Sequence, residues 1–261
     1  MGFNENEEHL YHFTTFEAAV KILATNELRF SKTNNANDIL ESNRLIFFNL
    51  KAFENKDFDS ENIYNEVINF RQISLTSDDF SCKPYKYGFC INPMWGHYAD
   101  SGNGVCIVLN KEKLLAKLSK QECYFGTIEY VDSYDNSLDI NNNDTKRIDY
   151  YWFETFFIKT NDWKYEQEFR IVKKVEVEKD VYLDIEGCID CIIINRAKDI
   201  SHYESAFKSN QYIVLSKIYQ QEYIYEYGLS LDGEKVLSEY NREKYIWPIK
   251  DDRLEIDLTA Q

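Results

Sequence analysis

Apolar and polar residues alternate in short runs along the chain, and the period of each run predicts its element. Leu10-Tyr11-His12-Phe13 reads as a first strand, and Thr14-Thr15-Phe16-Glu17 has capping-box spacing that opens a helix over Phe16 to Ala24. Leu28-Arg29-Phe30-Ser31 reads as a second strand, after which a polar run, Lys32 to Asn37, leads into a helix starting near Asp38. A further helix is predicted from Glu61 to Asn69, and Gln72 to Ser77 alternates as a strand. Pro93 opens a helical turn running to Asp100, Gly102 and Gly104 follow, and Val105 to Leu109 is a continuous apolar run of buried-strand type. A helix over Lys111 to Leu118 comes next. Later strands are predicted at Tyr124 to Tyr130, Glu168 to Lys173, Val181 to Ile185, Ile189 to Ile194 and Ile213 to Leu215, with helices at Tyr150 to Ile158 and Ser201 to Phe207. Strands and helices mix without a βαβ rhythm. The expected fold is therefore α+β, a single domain over 1–261 with a mixed, largely antiparallel or split β-sheet flanked by helices. Residues of about 10–195 carry its motifs, and about 201–261 form a C-terminal extension.

Within this pattern Trp163-Lys164-Tyr165-Glu166-Gln167-Glu168-Phe169-Arg170 stands out. On a strand, Glu166, Glu168 and Arg170 share one face. Two carboxylates held that close repel, so one is expected to titrate high and the other low, dividing the roles of proton carrier and charge stabiliser. The same alternation also describes an ordinary half-exposed strand, with Arg170 neutralising the pair.

Composition narrows the classes. The chain has 261 residues, 44% of them hydrophobic, with 20 Tyr, 17 Phe, 9 Gly and 3 Pro, which suits a packed core without long linkers. The Asp132 to Thr145 stretch, rich in Asn and Asp, reads as a surface loop. Net charge is −15, so the overall field repels phosphate backbones and anionic bilayers; neither a membrane partner nor broad nucleic-acid coating is expected. The acidic opening Met1 to Glu8 resembles neither a signal nor a transit peptide, and no run reaches a membrane span. Six cysteines at 82, 90, 106, 123, 188 and 191 are unevenly spaced and read as reduced, mostly buried thiols. A cytoplasmic location is the expectation.

No glycine-rich phosphate loop and no G-x-S-x-G elbow occurs. Cys188-Ile189-Asp190-Cys191 has the spacing of half a zinc site, but no second pair completes it, and no metal is expected. A magnesium-dependent nuclease built on Asp78, Asp79, Glu166 and Glu168 is disfavoured by the acidic balance. His12 and His97 sit in aromatic segments, whereas His9 and His202 have no such context. A histidine ending the first strand, a mid-chain aromatic segment and a late carboxylate pair together suit a nucleotide glycoside. A tyrosine or tryptophan face can carry a cationic nicotinamide, histidine can hold ribose hydroxyls, and a carboxylate gains strength as an oxocarbenium-like state forms.

Six ordered blocks carry a resemblance: Leu10-Tyr11-His12-Phe13-Thr14, Leu28-Arg29-Phe30-Ser31, Asn37-Asp38 with Glu41, Met94 to Ala99, Gly104-Val105-Cys106-Ile107, and Trp163 to Arg170. Their order and spacing resemble the bacterial domain-of-unknown-function family 2971 (DUF2971), from about Leu10 to Asn195. That family in turn resembles ADP-ribosyltransferases, which implies an ADP-ribosyltransferase-like sheet and NAD as substrate. By this resemblance His12 is the ribose-binding histidine, Glu166 or Glu168 the catalytic glutamate, and Tyr98 or Tyr87 the aromatic that stacks on nicotinamide. Arg29, Asn37, Asp38, His97 and Arg170 belong to the first family's own pattern; Arg29, His97 and Arg170 are candidate ligand contacts, Arg170 for a phosphate. The implied activity is NAD cleavage or ADP-ribosyl transfer to protein, nucleic acid or water, in a toxin-like or anti-phage effector. The alternatives are a non-catalytic module binding a nucleotide or another small ligand, and a tyrosine-rich interaction domain.

Overall fold

The computed structural model describes residues 8–33, 68–79, 87–132, 156–175 and 179–194, with strand backbone at 212–214, 228–229 and 235–236. Its centre is a largely antiparallel sheet of eight strands. β1 (His9–Thr14) lies in the middle, β4 (Phe70–Ser77) and β5 (Val105–Asn110) flank it, and β9 (Glu168–Lys174) and β11 (Ile189–Ile194) lie beyond. β6 (Tyr124–Thr127) and β12 (Tyr212–Val214) close the two ends, and β3 (Ser31–Lys32) adds to β4. Of the pairings in this sheet, β11 with β12 is parallel.

Strand alternation sorts side chains to two faces. Leu10, Ile73, Ile107, Leu109, Phe169 and Ile171 pack on one face beneath α1 (Phe16–Thr25) and α3 (Lys111–Leu118). Tyr11, Phe13, Cys106 and Val108 pack on the other beneath α2 (Asn92–Tyr98), whose Met94 and Trp95 are buried. Covered on both faces, β5 is buried at all six positions, as its unbroken apolar run requires. A smaller cluster of Phe70, Ile128, Phe156, Phe157 and Val172 closes the β6 end.

The joint between β1 and β4 decides where a site can form. β1 pairs with β5 along six residues, but with β4 through Leu10↔Ser77 and Tyr11↔Thr76 alone. Beyond those two pairs the strands diverge, while β4 goes on pairing with β9 on its other side as far as Phe70↔Lys174. Further along the opened edge, β3 joins β4 at Gln72 and Arg71. A gap is left beside Ile73, Ser74 and Leu75.

Several predicted elements are reproduced closely: β1, β5, β11, α3, and the proline-opened α2. The first cap shifts by one residue. Thr15, not Thr14, caps α1, its Oγ1 accepting from Ala18 N–H at 3.2 Å, because Thr14 still belongs to β1. Leu28 to Ser31 is not one strand. β2 (Glu27–Arg29) pairs with β10 (Tyr182–Asp184) in a separate ribbon, Phe30 donates its N–H to the Val181 carbonyl, and β3 returns to the main sheet. The predicted Tyr124 to Tyr130 strand divides into β6 and β7 (Glu129–Val131), since Ile128 donates to the Glu168 carbonyl and enters the small cluster. Phe156 and Phe157 are helical as predicted, but Ile158 opens β8 (Ile158–Thr160), parallel to β7. The helices predicted from Asp38 and at Ser201 to Phe207 lie outside the described residues, as does the Glu61 to Asn69 helix except for a turn at its end. Five cysteines, 90, 106, 123, 188 and 191, are free thiols. Among the described residues no helix is long and apolar enough to cross a membrane.

Candidate functional site

A cavity of about 220 Å³ occupies the gap where β1 leaves β4. Its walls include His12 from β1, Ser74 and Thr76 from β4, Tyr98 from α2, and Glu166 and Glu168 from the segment entering β9. Four residues from distant parts of the chain, His12, Tyr98, Glu166 and Glu168, thus line one space.

The carboxylates reach it by a route different from the predicted strand. Asn161–Glu166 forms 3₁₀ turns, Gln167 sits in the left-handed region at φ 48°, and β9 begins only at Glu168. Asn161 and Asp162 favour a turn, which overrides the strand propensity of Tyr165. The Gln167 carbonyl, accepting from both Ser77 N–H at 2.8 Å and Ser77 Oγ at 2.7 Å, fixes the kink to the end of β4. Glu166 and Glu168 still meet, but through a cation rather than a shared strand face. Lys159 Nζ lies 2.7 Å from Glu166 Oε2 and 2.8 Å from Glu168 Oε2, and 5.3 Å from the Trp163 ring centroid.

The two glutamates have different surroundings. Arg170 donates to Glu168 from Nε at 2.7 Å and from Nη2 at 2.8 Å, a bidentate pair. The third guanidinium nitrogen donates to the Phe156 carbonyl at 2.7 Å. Burial alone raises a carboxyl pKa, but Arg170 and Lys159 outweigh it and hold Glu168 far below the ordinary carboxylate range. Among the described residues Glu166 pairs with Lys159 and not with an arginine. Its Oε1 accepts from the Tyr98 hydroxyl at 2.6 Å, and burial, only partly opposed by Lys159, leaves its pKa raised. The expected split into a high and a low carboxyl is present, with Glu166 high.

His12 faces the opposite wall. Burial pushes its pKa down to about 4, against the pull of a hydrogen bond to the Ser74 carbonyl, so the ring is neutral near pH 7. Nδ1 is buried without a hydrogen-bond partner among the described residues. Gln72 Oε1 and Thr76 Oγ1, on residues lining the same cavity, are likewise buried without a partner among the described residues. Buried polar atoms are normally paired, so atoms without a partner among the described residues around one space give this wall hydrogen-bonding capacity.

Of the other candidates one lines the cavity and the rest do not. Arg29 lines the cavity from β2. His97 is exposed, its ring centroid 6.4 Å from that of Tyr165, and is not among the cavity residues, because α2 turns Tyr98 inward and the preceding residue outward. Arg170 lies beneath the cavity, fully buried and committed to Glu168, so its position does not suit a phosphate contact. Tyr87 stacks on Phe89 at 5.7 Å, outside the cavity. Asp78 is also elsewhere: it accepts from Gly88 N–H at 2.9 Å, and burial pushes its pKa up to about 6. Among the described residues no three metal-ligating side chains cluster.

Lys159 was not foreseen. Nothing in Ile158-Lys159-Thr160 separates it from a solvated lysine; only the parallel pairing of β8 with β7 and the turns that follow bring it between the glutamates. His9, which has no distinctive sequence context, is also buried, with Nε2 3.4 Å from Asp190 Oδ2. Asp190 in turn accepts from Asn110 and Lys113, so this second cluster ties β1, β5, α3 and β11 together.

Residues 94–171 match the family DUF2971, described as a protein of unknown function. The DUF2971 span runs from α2 into β9 and contains Tyr98, Lys159, Glu166, Glu168 and Arg170. His12 and Arg29 lie outside it, as do the earlier blocks that suggested a span from Leu10. No curated protein and no solved structure matches the chain.

Proposed function

We propose that the chain is an NAD-cleaving or ADP-ribosyl-transferring enzyme with Glu166 as its catalytic carboxylate. The observation supporting this is the convergence of His12, Tyr98, Glu166 and Glu168 on the cavity at the β1–β4 divergence. His12 Nδ1, a buried polar atom without a partner among the described residues, suits a ribose hydroxyl. Tyr98 offers an aromatic surface beside Glu166 for a nicotinamide cation. In the reaction the C–N glycosidic bond breaks, its electron pair passes to the nicotinamide nitrogen, and positive charge develops on the ribose. Glu166 stabilises that charge and takes the proton from the attacking acceptor, a role suited to a carboxyl raised by burial. Glu168 does not act on substrate in this scheme; it positions Lys159, which holds Glu166 in place. The acceptor is water, a protein or a nucleic acid, and the biological setting is a toxin-like or anti-phage effector.

Free nicotinamide is measured after incubating the full chain with NAD and candidate acceptors. Glu166→Gln should lower its release by ~10²-fold or more, and His12→Ala should mainly raise KM. Wild type and Glu166→Gln equally silent, with no modified acceptor, would sink the proposal.

One observation favours a second reading. Glu168 is matched by Arg170, and Glu166 by Lys159, so the carboxylate end is already neutralised without substrate. A module that binds a nucleotide without turning it over has that character. It predicts thermal stabilisation by ligand, lost in His12→Ala, with no product.

A further inference from the structure

The two ends of the cavity carry charge differently. At the carboxylate end every glutamate has its cation within 2.8 Å. At the far end Arg29 and Lys32 line the same cavity, and neither is in an ion pair among the described residues. In a chain of net charge −15, two cations facing one cavity make a local positive patch against the overall field.

Their orientation follows from strand alternation. Leu28 and Phe30 are buried in the main core, which turns Arg29 and Ser31 out of it toward the gap. The break at Phe30 then brings Lys32 onto β4, opposite Arg71, with Ser31 opposite Gln72. One uninterrupted strand would have left Arg29 and Lys32 on opposite faces. Between the two ends lie His12 Nδ1 and Gln72 Oε1, buried polar atoms without a partner among the described residues. From end to end, the cavity offers two cations without an ion pair among the described residues, then polar atoms that can meet sugar hydroxyls, then a carboxylate of raised pKa. A phosphorylated sugar joined to an electron-poor base has the complementary order.

We infer that Arg29 and Lys32 form an anion subsite for the phosphate or diphosphate of a nucleotide whose glycosidic bond lies at Glu166. The assignment rests on the proposed reading of Glu166, but its test does not. Arg29 supplies a planar fork suited to two phosphate oxygens, and Lys32 a point charge beside it. Both side chains are solvent-exposed, so replacing them leaves the core intact.

Isothermal titration of the full chain with ADP, adenosine and pyrophosphate reads the subsite directly. ADP should bind ~10-fold or more tightly than adenosine, and added salt should weaken ADP alone. Arg29→Gln with Lys32→Gln should bring ADP down to the adenosine level without changing adenosine, and Lys32→Glu should weaken ADP further. Equal binding of ADP and adenosine overturns the subsite, as does unchanged ADP affinity in the double variant or no binding of any probe at millimolar concentration. The outcome is separable from the reaction. Phosphate-dependent binding without nicotinamide release sinks the proposed chemistry and spares the subsite; release that is indifferent to the double substitution does the reverse.

Discussion

At the scale of single residues, the difference between Glu166 and Glu168 is a difference of partners. Glu168→Gln leaves the Arg170 guanidinium fully buried beside a neutral amide, and breaking a buried pair of this kind costs about 3–5 kcal/mol. Glu166→Gln keeps the Arg170 pair and should cost clearly less, so urea denaturation of the two variants tests whether Glu168 is the structural member. His12 contributes a pH dependence of known sign. The unfolded chain takes up a proton at the ordinary histidine value of 6.5, the folded chain only near 4, so stability is whole above 6.5 and drains as pH falls toward 4. Between pH 7 and pH 5 the loss is about 2 kcal/mol. Asp78, raised by burial to about 6, works the other way, since its share of stability falls as pH rises from the ordinary carboxyl value to 6. The two slopes oppose each other in wild type. His12→Gln should expose the Asp78 slope, so acidification from pH 7 to pH 5 destabilises wild type relative to the variant; a pH-independent difference in unfolding free energy would contradict this. Glu166, Glu168 and His12 were legible as chemistry because their neighbours set them in structured segments. Lys159 was not, since burial by turns and a parallel strand pair leaves no mark on three residues of sequence.

At the scale of elements, local pattern predicts structure wherever one element meets one environment. The apolar run of β5, the 3.6-residue period of α3 and the proline of α2 each reflect a single packing partner. Pattern and structure part where consecutive residues serve two sheets, as at Phe30, or where a polar turn interrupts a strand-like sequence, as at Asn161–Glu166. Glycines test the observed packing. A Cβ on Gly104 would lie 2.2 Å from the Thr14 carbonyl oxygen, and neither backbone can yield without disturbing the β1–β5 pairing. Gly104→Ala should cost about 1–3 kcal/mol or more. Gly96, within α2, meets nothing within 4 Å, so Gly96→Ala should raise stability by about 0.5–1 kcal/mol through helix propensity. Thermal melts of the pair should therefore move in opposite directions, and Thr15→Ala should cost about 1 kcal/mol by removing the α1 cap.

At the scale of the molecule, the fold class was legible because helices and strands lacked a crossover rhythm, and a largely antiparallel sheet is what forms. The position of the cavity was not, because strand separation depends on which edges find partners, a property of the assembled sheet. Among the described residues, strand pairing joins the β1 side of the sheet to the β4 side through Leu10↔Ser77 and Tyr11↔Thr76. A coupling that narrow behaves like the last two teeth of a zip: the halves should breathe about it, and amide protons of Ile73 to Leu75 should exchange with solvent faster than those of β5. Any molecule that spans the opening becomes extra teeth. Its binding should then be felt on both halves at once, slowing exchange along β1 and β4 together even at residues it does not touch.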